Sequence, residues 1–119
     1  MIIALWIVTI LLALLFLVAG VTKSTTAREK LVARMPYMED LSNGQARVIG
    51  IFEFLGALGL VLPAATGVLP WLTPVAAFAL AVTMGVGSAL HLKRKESPFV
   101  TIVLGVVALA VGVGWVVLG

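Results

Sequence analysis

The chain contains no cysteine and a single histidine. Without thiols it forms no disulfide, no zinc–thiolate site and no cysteine-ligated iron–sulfur cluster. One imidazole does not make a zinc centre. The sequence also lacks a Gly-x-Ser-x-Gly element, a phosphate-binding loop and any cluster of His and carboxylates outside its apolar stretches, so a soluble-enzyme reading finds no support. Redox chemistry would require a borrowed cofactor. Charge is equally scarce: Asp, Glu, Lys and Arg make up 11% of 119 residues, against about 25% in soluble domains. A water-facing surface cannot be built from so few charges, and the solvent for most of this chain must be lipid.

What is present is apolar. Hydrophobic residues make up 62%, and the mean hydropathy is +1.23. Four runs approach the roughly 20 residues that a bilayer requires, at about 2–22, 46–62, 73–92 and 98–118. The first has no basic segment before it and exceeds a signal-peptide core in length, so it is expected to be retained as a span. Ser42 and Gln45 fit a capping box for the second run, and Pro63 and Gly67 are expected to turn the chain after it. Thr73-Pro74 and Ser97-Pro98 place a capping residue before a proline at the starts of the third and fourth. Between the first two runs, Ala27, Leu31, Val32 and Met35 fall on one helical face and Arg28, Lys30 and Arg34 on the other. This spacing predicts an amphipathic interfacial helix over about 26–35, ended by Pro36. The expected fold is an all-α integral membrane protein, one four-transmembrane-helix bundle with that short amphipathic helix between spans one and two.

The net charge of +3 points to membrane topology rather than to nucleic acid. Lys23, Arg28, Lys30, Arg34, Arg47, Lys93, Arg94 and Lys95 all lie in or beside the connections one–two and three–four, which share one side of a four-span bundle. The positive-inside rule places that side in the cytoplasm and both termini outside. Trp6, Trp71 and Trp115 lie toward the uncharged side, as an interfacial aromatic belt does.

In lipid, small residues mark packed helix faces. Glu53 shares a face with Ala46, Gly50, Ala57 and, slightly off, Gly56. Lys23 shares one with Phe16, Ala19 and Gly20, and His91 one with Ala81, Met84, Gly87 and Ser88. Thr101, Gly105, Ala108 and Gly112 stripe the last span. Glu53 lies six residues past Arg47, roughly 9 Å along a helix. A carboxylate in a membrane costs about 2.5–3.5 kcal/mol at the centre of a span and marks a candidate site. Lys23, Glu53 and His91 form the candidate intramembrane polar cluster, with Arg47 and Ser88 secondary and Gly20, Gly50, Gly56, Gly105 and Gly112 as packing positions. The plainer alternatives stay open: a structural Lys23–Glu53 ion pair that fixes helix register, and an interfacial His91 touching headgroups.

Several elements fall in a familiar order. Ala19-Gly20-Val21-Thr22-Lys23 closes the first span, and Met35-Pro36 follows the connecting segment. Arg47-Val48-Ile49-Gly50-Ile51-Phe52-Glu53-Phe54-Leu55-Gly56-Ala57-Leu58-Gly59-Leu60 opens the second. His91-Leu92-Lys93-Arg94-Lys95-Glu96 closes the third. Together they resemble the DoxX-like family of four-helix membrane proteins, over essentially the whole chain. That family includes the small membrane subunit of an archaeal thiosulfate:quinone oxidoreductase, mycobacterial proteins linked to oxidative-stress defence, and an animal receptor chaperone. The resemblance carries the family pattern onto Lys23, Gly50, Glu53, Gly56 and His91. It implies an accessory, assembly or chaperone-like subunit working in the bilayer with a membrane protein partner or as a homo-oligomer. The alternatives are a quinone-interacting oxidoreductase subunit using the Glu/His/Lys cluster and an oligomeric proton or small-solute conduit. Quinone is the one cofactor these readings raise; none requires a metal.

Overall fold

The computed structural model describes residues 1–26, 29, 30, 33 and 42–119. The interfacial helix expected over about 26–35 lies for the most part outside the described residues. Among those described there is no strand, and four helices dominate: α1 (Ile2–Thr25), α2 (Asn43–Thr66), α3 (Leu72–Lys93) and α4 (Phe99–Leu118). All four are long and apolar enough to cross a membrane. The shortest has 20 residues, which at 1.5 Å per residue matches a hydrocarbon layer about 30 Å thick.

Local chemistry explains most of the helix ends. At the start of α2, Gln45 donates its backbone N–H to Ser42 Oγ at 3.1 Å, and the Ser42 N–H donates to Gln45 Oε1 at 2.9 Å. These reciprocal bonds are the expected capping box. At α4, Phe99 donates its N–H to Ser97 Oγ at 3.4 Å, but Ser97 stands one residue before the cap position, which Pro98 occupies.

Three boundaries differ from the sequence reading. At α4 the cap is Pro98 itself, with no side-chain cap bond, so Ser97 lies outside the helix and Pro98 is not its first helical residue. Pro63 does not turn the chain but lies buried inside α2, which runs on to Thr66. A proline removes one helical donor without removing the acceptors that follow it. The stop comes at Gly67, whose positive φ of 73° reverses the backbone while its N–H donates to the Pro63 carbonyl at 3.0 Å. Thr73 does not cap α3. The helix begins at Leu72, because the Leu69-Pro70-Trp71 turn already supplies acceptors: Leu72 N–H donates to Leu69 O and Thr73 N–H to Pro70 O.

The helices run up and down in sequence order. Gly56 faces Leu80 across α2 and α3, Gly105 faces Met84 across α3 and α4, and Gly114 faces Leu5 across α4 and α1. The most extensive contacts join α1 to α2 and α3 to α4. Leu12, Phe16, Leu60, Leu80, Met84 and Val111 fill the core, with Ala13, Ala57, Ala77 and Ala108 letting the helices approach. Many large side chains point outward, among them Ile3, Leu11, Leu15, Val48, Leu55 and Val106. This is the pattern lipid favours: it solvates leucine as well as a core does, so close packing rather than apolar burial holds the bundle.

The tightest packing is where α1 crosses α2. A methyl group on Gly20 would sit 2.6 Å from the Gly50 carbonyl oxygen and 2.6 Å from the Phe54 nitrogen. One on Gly50 would sit 2.6 Å from the Ser24 nitrogen and 2.8 Å from the Gly20 carbonyl oxygen. These neighbours are backbone and cannot move aside singly. Gly85 on α3, by contrast, has nothing within 4 Å of the same position. Gly50→Ala is therefore expected to lower the unfolding free energy by about 1–3 kcal/mol through overpacking, while Gly85→Ala leaves it unchanged or slightly raised. Equilibrium unfolding of the two variants in mixed micelles checks this; equal effects would refute the crossing.

Candidate functional site

The Gly20–Gly50 crossing decides where the charged side chains fall. Lys23 stands three residues after Gly20 and Glu53 three residues after Gly50, so each lies about one turn further along the same face of its helix. The helices are antiparallel, and their close approach brings the two side chains together. Lys23 Nζ donates to Glu53 Oε1 at 2.7 Å. Both are buried, with 6% of Lys23 and none of Glu53 exposed. The second carboxylate oxygen, Oε2, is buried and accepts no hydrogen bond. Ala46, Gly50 and Ala57, which share the Glu53 face, are buried with it.

A cavity of about 520 Å³ opens beside this pair. All four helices line it: Phe16 and Ala19 from α1, Phe52 from α2, Met84 and Gly87 from α3, and Leu104 from α4 are representative. Its wall is apolar except for Lys23, Glu53, Thr83, His91 and Thr101. The lining stretches on α1 and α3 are the C-terminal ones and those on α2 and α4 the N-terminal ones. The cavity therefore lies wholly in the half of the bundle next to the basic connections. A smaller cleft of about 320 Å³, between α1 and α2 nearer the middle of the bundle, has only apolar walls.

His91 reaches the same cavity from α3. Its Nδ1 lies 3.9 Å from Glu96 Oε1, to which Arg94 also donates through Nε at 3.1 Å. The structure thus joins Lys23 and Glu53 directly and sets His91 on the wall of the same cavity, linked to the turn between α3 and α4. The two secondary positions lie elsewhere. Arg47 is exposed at the start of α2 and is not part of the wall. Ser88 does not line the cavity either; its hydroxyl donates to the Met84 carbonyl at 2.8 Å and pairs with Thr101 Oγ1 at 2.9 Å, tying α3 to α4. The packing glycines meet neighbouring helices: Gly56 meets Leu80, Gly105 meets Met84, and Gly112 meets the Phe78 ring.

Two polar features, Glu96 and Thr9, have roles that their sequence positions do not reveal. Glu96 reads in the sequence only as part of a basic turn; beyond the end of α3 the chain folds back, the Glu96 N–H donating to the His91 carbonyl at 2.8 Å, and this brings its carboxylate to His91. Thr9 is fully buried in α1 and accepts a hydrogen bond from Trp115 Nε1 at 3.0 Å, while Trp6 and Trp115 stack edge to face. Thr73, expected as a cap, is instead fully buried, and its hydroxyl has no partner. A hydroxyl within an apolar run carries little sequence signal, because it is tolerated almost anywhere along a helix by bonding back to its own backbone.

Chemically, the arrangement offers an apolar chamber with a few polar side chains on its wall. Among the described residues, no three His, Cys, Asp or Glu side chains are grouped so as to hold a metal ion. The model of the DoxX-like family matches residues 7–114 of the chain. No curated protein and no solved structure matches the chain.

Removing one member of the pair leaves the other buried without its counter-charge. Lys23→Met or Glu53→Leu alone is expected to cost about 3–5 kcal/mol of unfolding free energy, and the two together far less than the sum. A double-mutant cycle in detergent micelles measures this; strictly additive losses would show that the two side chains are not coupled.

Proposed function

The chain belongs to the DoxX-like family, and on that premise we propose that it is a small accessory subunit of a larger membrane oxidoreductase that holds a quinone-type carrier in its four-helix cavity. The observation that carries this reading is the cavity itself. A volume of about 520 Å³ lies within the range of small-molecule sites, which are mostly apolar with a few placed polar groups. A membrane-dissolved quinone has the same division: an apolar tail and a ring with two oxygen atoms. Lys23, Glu53 and His91 stand where that ring would sit, and all three side chains belong to types that exchange protons. With no cysteine in the chain, electrons would come from the partner protein, and this subunit would supply the pocket.

A second reading draws on the same pair. The Lys23–Glu53 contact is direct and nearly closed to solvent, as a purely structural device for fixing helix register would be. On that reading the protein is an assembly or chaperone-like subunit with no ligand of its own. A conduit draws least support, since the polar cavity wall is confined to one half of the bundle and continuation through the other half would need an oligomer. In every reading the basic connections face the cytoplasm and both termini face outward.

Two measurements follow. Decylbenzoquinone, oxidised or reduced, is expected to raise the thermal midpoint of the purified protein, by an amount equivalent to about 2.7 kcal/mol at a hundredfold excess over Kd. Ala19→Trp, which fills the chamber from α1, should abolish the shift. A wild-type midpoint unmoved by either form would favour the assembly reading. For orientation, the natural absence of cysteine makes single-cysteine labelling clean. A cysteine at Gly119 should react with an impermeant maleimide on intact cells, and one at Lys95 only after permeabilisation; the reverse pattern would invert the topology.

A further inference from the structure

The hydrogen-bonding state of the Lys23–Glu53 pair carries a preference for one form of ligand over another. Glu53 has two carboxylate oxygens. Lys23 Nζ occupies Oε1 at 2.7 Å, and Oε2 is buried with no donor. Lys23, for its part, has three N–H donors, of which one is used here. The free capacity at this point of the cavity wall is therefore one acceptor on Glu53 and further donors on Lys23. Nearby hydroxyls do not fill it: Thr83 donates to the Ala79 carbonyl at 3.0 Å, and Thr101 to the Pro98 carbonyl at 2.9 Å.

We propose, resting on the quinone-carrier reading, that this site selects the hydroquinone over the quinone, with the ligand hydroxyl donating to Glu53 Oε2 and accepting from Lys23 Nζ. A quinone carbonyl only accepts. It can take an N–H from Lys23 but leaves Oε2 bare, and a buried acceptor without a donor is costly. A hydroquinone O–H satisfies both groups at once. The terminal torsion of a glutamate is broad, so the carboxyl can turn Oε2 toward the chamber without moving the helix. Phe16 and Phe52 also line the chamber, and aromatic side chains pair more favourably with an aromatic ring than with an aliphatic alcohol.

Selectivity of this kind has a functional consequence. Each tenfold preference for the two-electron-reduced form raises the potential of the bound couple by about 30 mV. The bound quinone becomes a better electron acceptor than the same molecule free in the bilayer, which suits a subunit whose partner delivers electrons.

The test is a set of binding isotherms in nanodiscs, measured under argon on the whole chain. The probes are decylhydroquinone, decylbenzoquinone, the dimethyl ether of the hydroquinone, and 1-dodecanol. Decylhydroquinone is expected to bind about tenfold tighter than decylbenzoquinone, with the ether and the alcohol weaker than the hydroquinone. Glu53→Gln keeps an acceptor for Lys23 and replaces Oε2 by an amide donor, so it should favour the quinone instead. Equal affinity for the two redox forms, or tighter binding of the quinone by the wild type, would overturn the selectivity and leave the carrier reading standing. Binding of no aromatic probe would overturn the carrier reading itself. Dodecanol matching the hydroquinone would overturn the assignment to an aromatic ligand. Should Glu53→Gln fail to fold, the wild-type comparison of hydroquinone, quinone and ether still decides the matter.

Discussion

The contact on which this bundle turns is the crossing of α1 and α2 at Gly20 and Gly50. Lipid gives helices no hydrophobic reason to associate, so shape and polar pairing must do it. Two glycines remove the side chains that would otherwise separate the backbones, and an added methyl on either would lie 2.6 Å from the other helix. One turn beyond, that proximity becomes an ion pair, Lys23 Nζ to Glu53 Oε1 at 2.7 Å. Neither feature is independent of the other. With the helices farther apart the two side chains would stand as separate charges in an apolar medium, where each is expensive. Without the pair, the crossing would leave a carboxylate sealed among alanines and glycines.

The same crossing explains why the bundle is asymmetric along its length. In the half away from the basic connections, Leu12, Leu60, Leu80 and Val111 are buried, and the Trp6–Trp115 and Trp115–Thr9 contacts tie α1 to α4. In the other half α1 and α2 are held together by glycine and charge, and the space between them and the α3–α4 pair remains open as the chamber. Ser88 and Thr101 hold α3 against α4 there, which keeps that pair from closing over the gap. Polar groups thus stand on the wall of the chamber, and small, specific contacts rather than bulk packing set its width.

Much of this was legible in the amino-acid order, for physical reasons. Four apolar runs separated by charge or proline have no soluble interpretation, and all four became helices. Glu53 announced itself because a carboxylate in such a run needs a partner, and the antiparallel order of neighbouring spans offered Lys23. The capping box at Ser42 and Gln45 formed as its spacing required. Other features were not readable. Pro63 stopped nothing, since whether a proline ends a helix depends on the acceptors and packing downstream, and here Gly67 supplies the turn. Thr73 was passed over as a cap because an earlier turn, set by Leu69 with φ 47°, already led into the helix. The chamber belongs to no residue in particular; it exists only as the distance between two helix pairs. The role of Glu96 beside His91 likewise depends on how a short turn folds back.

The central claim is that Lys23 and Glu53 touch inside the membrane. It is tested most directly by magic-angle-spinning NMR of the protein in lipid bilayers, with ¹⁵N-labelled lysine and ¹³C-carboxyl-labelled glutamate. Dipolar recoupling reads the distance between Nζ and the side-chain carboxyl carbon, and Lys23→Arg identifies which signal belongs to the pair. A contact of about 4 Å or less, the range of an ion pair, lost in Lys23→Arg, is the expected result. A Glu53 carboxyl with no lysine nitrogen within that range would contradict the account.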